Sequence, residues 1–273
     1  MKKSGRNSLL LRFLILALIV FPGFTNHASA GTLDSVSHIH HVKVVEKKVL
    51  VLTHEGLYEL AGKNNMKLIG KDKLDVMGLT SLGKVLVASG HPSQGSKMPN
   101  PIGLVRSTDG GLSWKAVSLV GKVDFHSLEG AGSELYGADS QSGNLLYSAD
   151  TGKTWRSLGT NTFTDIAVSP DMPEMAVALK DSKLLLTEDA FKSTKELKNN
   201  FKFTQVEWRN SGLYALSGNT LHRSLDSGKT WTKLSTFKEE TGILSASDQL
   251  MLVTVGADIY TSANSGKSFK QIS

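Results

Sequence analysis

Seven residues of this 273-residue chain have side chains whose types and spacing suit chemistry: His38, His40, His54, Asp75, His91, Asp124 and His126. All fall in the first half of the sequence. His38 and His40 are two apart, as are Asp124 and His126, and on an extended chain residues two apart share a face. Imidazole and carboxylate together, in a chain with no cysteine, suit a divalent transition metal such as zinc better than calcium, which takes oxygen ligands. His38, His40 and His126 are the candidate metal ligands, because a site of three imidazoles with an open position polarises a substrate or activates water. His54 and His91 are candidate contacts to a bound small molecule. Asp75 and Asp124 are the candidate catalytic carboxylates, as a glycosidase-like acid and base about 5 to 10 Å apart. The plainer alternative is that each histidine hydrogen-bonds its own loop and shapes a polar pocket without metal.

The elements that position these residues are set by an internal repeat. Four segments superimpose: Ser107 to Trp114, Ser148 to Trp155, Ser224 to Trp231 and Ser262 to Phe269, all of the form S-x-[DN]-x-G-x-[ST]-[WF]. A worn copy, Thr187 to Thr194, keeps Asp189 but has Phe191 in place of the glycine. The eighth positions, 114, 155, 194, 231 and 269, are 41, 39, 37 and 38 residues apart. A short polar side chain at the third position bonds turn amides, and glycine at the fifth supplies a positive φ. Asp109, Asp150, Asp226 and Asn264 are therefore read as structural. The closing aromatic, as in Trp155 and Trp231, is expected to be buried between sheets. Two further apolar runs precede each copy, giving four short strands per period of about 40 residues, the size of a propeller blade.

Strand patterns give six blades, starting near His38, Val76, Phe125, Thr164, Lys202 and Ile243, the first without the repeat turn. The expected fold is all-β, a six-bladed β-propeller of four-stranded antiparallel blades. In that topology the first-strand entrances and the loops between second and third strands share one face, and the repeat turns lie on the other. The seven residues should then gather on the face opposite the repeat turns. The histidines His41 and His222 are left as packing or surface residues. An insertion from His91 to Pro101, with Pro99-Asn100-Pro101 restricting its backbone, should stand over the site as a lid.

The chain begins as an export signal does: basic Lys2, Lys3, Arg6 and Arg12, an apolar run from Phe13 to Phe24, and the small residues Ala28-Ser29-Ala30. Residues 1–30 are expected to be cleaved and residues 31–273 to form one domain, secreted, extracellular or periplasmic. The run is shorter than the roughly 20 residues of a spanning helix, so no membrane span is expected after cleavage. The signal holds four of the 31 basic residues and none of the 25 acidic ones. The mature chain is thus close to neutral, which removes the case for a nucleic-acid partner.

With its repeat turns, the sequence resembles the Asp-box (BNR repeat) propellers of the sialidase-like and sortilin-like superfamily. The segments His38-Ile39-His40, His54-Glu55-Gly56-Leu57, Asp75-Val76-Met77-Gly78, Ser89-Gly90-His91-Pro92, Pro99-Asn100-Pro101 with Gly103-Leu104, and Asp124-Phe125-His126 resemble a family of secreted bacterial propellers often labelled glycosyl hydrolases. The His/Asp residues and the resemblance together leave three functions. The first is a secreted propeller binding a small-molecule or glycan ligand at its His/Asp site, with or without metal. The second is a glycosyl hydrolase-like or metal-assisted hydrolase. The third is a scaffold for a protein partner. Sialidase activity is not expected: Arg106, Arg156, Arg209 and Arg223 lie on the wrong end or outer part of their blades for a converging triad.

Overall fold

The computed structural model describes residues 30–33, 36 and 38–273; the expected export signal lies almost wholly outside them. Among the described residues there is no α-helix, and none is long and apolar enough to cross a membrane. The chain is a ring of six antiparallel sheets, each built in sequence order from its inner strand outward. The inner strands are Ile39–Val45, Asp75–Leu82, Phe125–Ala131, Asp165–Val168, Gln205–Arg209 and Thr241–Ala246. Each touches the next, and the first touches the last.

Six apolar clusters occupy the six gaps between blades. Leu50, Leu52 and Leu57 of blade one meet Val76, Leu79 and Leu86 of blade two, and equivalent layers recur round the ring. The join is closed by packing, with Val42 and Val51 of blade one against Leu252 and Ile259 of blade six. The Val44 amide also donates to Ser245 Oγ across it at 2.9 Å. Among the described residues no strand crosses the join. Blade one differs from the four-stranded pattern by a fifth strand, Ala30–Thr32, added to its outer edge against Asn65–Leu68. It covers backbone groups that an edge strand would leave unpaired, and the expected cleavage point between Ala30 and Gly31 falls inside it.

The repeat turns are equivalent in detail. In the second copy Gly152 N donates to Ser148 Oγ at 2.9 Å, while Thr154 N and Oγ donate to Asp150 at 2.8 and 2.7 Å. The same bonds recur at Asp109 and Asp226, and at Asn264 the Ser268 amide again donates to Oδ1 while the Asn264 side-chain N–H donates to Ser268 Oγ. They hold the Asp109, Asp150 and Asp226 carboxyls down at about 2. Phe191 keeps the pattern at φ 59°, its amide bonded to Thr187 Oγ and its ring against Tyr136 and Phe163. Trp155 and Trp231 pack on Phe125 and Phe203 at ring-centroid distances of 4.9 and 4.6 Å, but they are half-buried rather than buried. Their indole N–H groups donate to Gly152 O and Gly228 O, so one edge of each ring stays at the turn.

Candidate functional site

Four of the inner strands begin irregularly, and three of these irregular starts serve the site, the fourth being that of blade six between Thr241 and Leu244. The register slips between Ile39 and His41 in blade one, between Val76 and Gly78 in blade two, and between Phe125 and Ser127 in blade three. A bulge re-aims the extra residue's side chain, and the extra residues are His40, Met77 and His126. His38 and Asp124, just before their strands, and Asp75, the first residue of its strand, lie beside them. His54 follows the second strand of blade one, and His91 ends that of blade two. Blades two and three approach closely here because Gly78 lacks a side chain: a Cβ on it would lie 2.5 Å from Phe125 O.

The seven expected residues therefore gather on one face, but as two groups instead of one. The first is His40, His54 and Asp75. His40 Nε2 lies 2.7 Å from Asp75 Oδ1, His54 Nδ1 lies 2.9 Å from Asp75 Oδ2, and the two nitrogens are 3.2 Å apart. His38 joins only through its ring, 5.0 Å from that of His40 and 5.3 Å from that of His54. If both carboxylate oxygens accept N–H bonds, two N–H groups face each other; one cation between the three residues replaces both protons. Around a tetrahedral zinc with bonds near 2.0 Å the ligand atoms stand about 3.3 Å apart, close to these separations. Burial pushes the His40 imidazole below its ordinary range in spite of Asp75, which favours the neutral ring that ligates metals.

The second group is His91, Asp124 and His126. His126 Nε2 and Ser140 Oγ donate to Asp124 Oδ2 at 2.8 and 2.9 Å. His91 Nδ1 donates to Asn100 Oδ1 of the insertion at 2.7 Å. That bond leaves Nε2 of the neutral ring as a lone-pair atom, 3.3 Å from the same carboxylate oxygen. Two acceptors thus face each other. The other oxygen, Asp124 Oδ1, is buried and has no hydrogen-bond partner, although a buried polar atom left so costs about 1–3 kcal/mol. Two imidazole nitrogens converging on one oxygen of a carboxylate whose other oxygen is buried and unpaired form a donor set that fits a metal ion. Asn100 is the outer partner that orients a ligating histidine. The insertion is exposed from Gln94 to Asn100 and returns to the core at Pro101 and Ile102, so its tie to the site is this one bond.

Sequence reasoning missed a group in the central channel. Lys43 pairs with Glu129 across the ring, and Arg209 pairs with Glu207. Burial raises the Asp165 carboxyl to about 7 and also raises Glu207. Lys43, which burial alone would push down, is held up by Glu129 and Glu207. Arg209, expected beyond its strand, is the strand's last residue. The available signal was period-two alternation: Lys43, Glu129, Asp165 and Glu207 interrupt strands that are otherwise apolar. His41 lies beside Lys43, and His222 is buried against Phe201.

No family model matches the chain, and no curated protein is significantly similar to it. Solved structures share its architecture. It is similar to YCF48 bound to D1 peptide, with TM-score 0.55, 16% identity, and 90% of this chain and 84% of that one covered. It is similar to the GH74 xyloglucanase of Xanthomonas campestris, with TM-score 0.54 and 15% identity over 83% of this chain and 43% of that one. PorZ, a bacterial surface component of the type-IX secretion system of Porphyromonas gingivalis, gives TM-score 0.56 and 14% identity over 89% and 34%. At such identities the likeness establishes the six-bladed β-propeller fold and nothing about chemistry.

Proposed function

We propose that this chain is an exported metal-binding propeller of the Asp-box type that holds two transition-metal ions side by side on the face opposite its repeat turns. His40, His54 and Asp75 form one site, and His91, Asp124 and His126 the other. The observation that carries the reading is the convergence of His91 Nε2 and His126 Nε2 on Asp124 Oδ2, in a carboxylate whose other oxygen, Oδ1, is buried and without a hydrogen-bond partner. Three protein ligands leave a coordination position open, and His54 and His126 are each about half exposed, at 49% and 47%. A small-molecule or glycan ligand therefore has access from solvent. If the protein is a hydrolase, metal-bound water suits it better than an acid/base pair of Asp75 and Asp124, since each carboxylate is already engaged by imidazoles. The test is equilibrium dialysis of tag-free protein against zinc, manganese, nickel or copper, followed by elemental analysis. Wild type should retain metal that His126→Ala partly loses; retention equal in both, or none in either, would refute the reading.

A protein-binding role has one observation in its favour. Leu112 and Leu225, within repeat turns on the opposite face, are 59% and 75% exposed. Pull-down with Leu112→Ser/Leu225→Ser protein separates this scaffold role from the metal site.

A further inference from the structure

The two candidate metal sites are built on the same plan one blade apart, and comparing them position by position shows that they differ in chemical softness. The pairs Ile39 with Thr53, Val76 with Gly90 and Phe125 with Asp139 are equivalent in register. Three series follow from them. At the strand's start come His38, Asp75 and Asp124; at the bulge come His40, Met77 and His126; after the second strand come His54, His91 and Ser140. The second site takes its ligands as His91, Asp124 and His126. Stepping back one blade turns that set into His54, Asp75 and Met77. Met77 thus holds, beside the first site, the register position from which His126 ligates in the second, and it is half-buried like His40 and Asp75. The first site adds His40, with His38 alongside.

Resting on the two-site reading above, we propose that the first site is a copper(I) site in which the Met77 thioether joins His40 and His54, while the second holds a harder divalent ion such as zinc. Thioether sulfur selects copper(I), whereas imidazole accepts copper and zinc alike. No cysteine competes, since the chain has none. The second site has instead the Asn100 oxygen on its His91 imidazole and the Ser140 hydroxyl on its Asp124 carboxylate, and no methionine at the corresponding register position.

Two measurements on the tag-free full chain test this. The first is anaerobic titration of copper(I) against a colorimetric chelator for wild type, Met77→Leu and His126→Ala, with zinc content measured on the same samples. Met77→Leu is close to volume-neutral and should leave the melting temperature unchanged. It should weaken copper(I) binding about tenfold or more and leave zinc content as in wild type. His126→Ala should do the reverse. The second is X-ray absorption at the copper edge, which should show a sulfur neighbour in wild type and none in Met77→Leu. Equal copper(I) affinity of Met77→Leu and wild type, or a copper shell without sulfur, would overturn the proposal while leaving two metal sites standing. Absence of both copper and zinc from wild type would overturn the two-site reading itself.

Discussion

Asp75 and His91 stand directly opposite each other in the register of the first two strands of blade two, yet they serve different groups of ligands. Asp75 receives His40 and His54 from blade one, whereas His91 meets Asp124 of blade three. Blade two thus contributes one residue to each site, and the register pair Asp75/His91 sets the two sites side by side. Anything that shifts the register of this pair should disturb both sites together.

Gly78→Ala applies that logic. Its Cβ would meet Phe125 O at 2.5 Å, so blades two and three must separate. The expected cost is about 1–3 kcal/mol, with weaker metal retention at the His91 site in particular. Melting curves and metal content of the variant, compared with wild type, check this.

Metal should also stabilise the fold. At a free zinc concentration one hundred times Kd, each site adds about 2.7 kcal/mol, which for a domain of this size raises the melting temperature by roughly 5–10 °C. Differential scanning calorimetry with zinc and with a chelator should show that difference, and Asp124→Asn should reduce it by about half.

How much of this was legible beforehand depended on repetition. Six blades, their starting points and the face carrying the histidines follow from a turn whose residues are dictated by local hydrogen bonds, as at Asp150 and Gly152. The division into two sites was not legible, because it depends on the bulges at His40, Met77 and His126, and a one-residue slip leaves no mark in composition. The fifth strand at Ala30–Thr32 was hidden for the same reason: its partner is an edge whose vacancy only the fold defines. The channel charges were overlooked because Glu129 and Lys43 come from blades 86 residues apart.

Trp155→Ala should cost about 2 kcal/mol, less than the 3–5 of a fully buried aromatic. The ring is half-buried, and its loss removes the Phe125 contact and the bond to Gly152 O. Chemical denaturation of Trp155→Ala and Trp231→Ala should give similar losses, since the two turns are built alike.

Acid should weaken the fold through His41. Burial pushes its imidazole down to about 3, while an unfolded chain takes up that proton near 6.5. The stability it supports is therefore present above pH 6.5 and is lost as pH falls from there toward 3, on the order of 2 kcal/mol by pH 5. His222, also lowered by burial, acts in the same direction. Asp165 acts oppositely: its carboxyl, raised to about 7, contributes stability that is full below about 3.8 and declines as pH rises through 7. Urea denaturation at pH 7 and pH 5 should therefore show a smaller pH loss in His41→Asn than in wild type.

The most direct measurement of the central claim is anomalous diffraction at the zinc edge from crystals of tag-free protein grown with zinc. The account predicts two peaks, one among His40 Nε2, His54 Nδ1 and Asp75, the other among His91 Nε2, His126 Nε2 and Asp124, with the second absent in Asp124→Asn. Crystals with no anomalous peak at either group of ligands, or with both groups hydrogen-bonded as drawn and zinc bound only elsewhere on the surface, would contradict it.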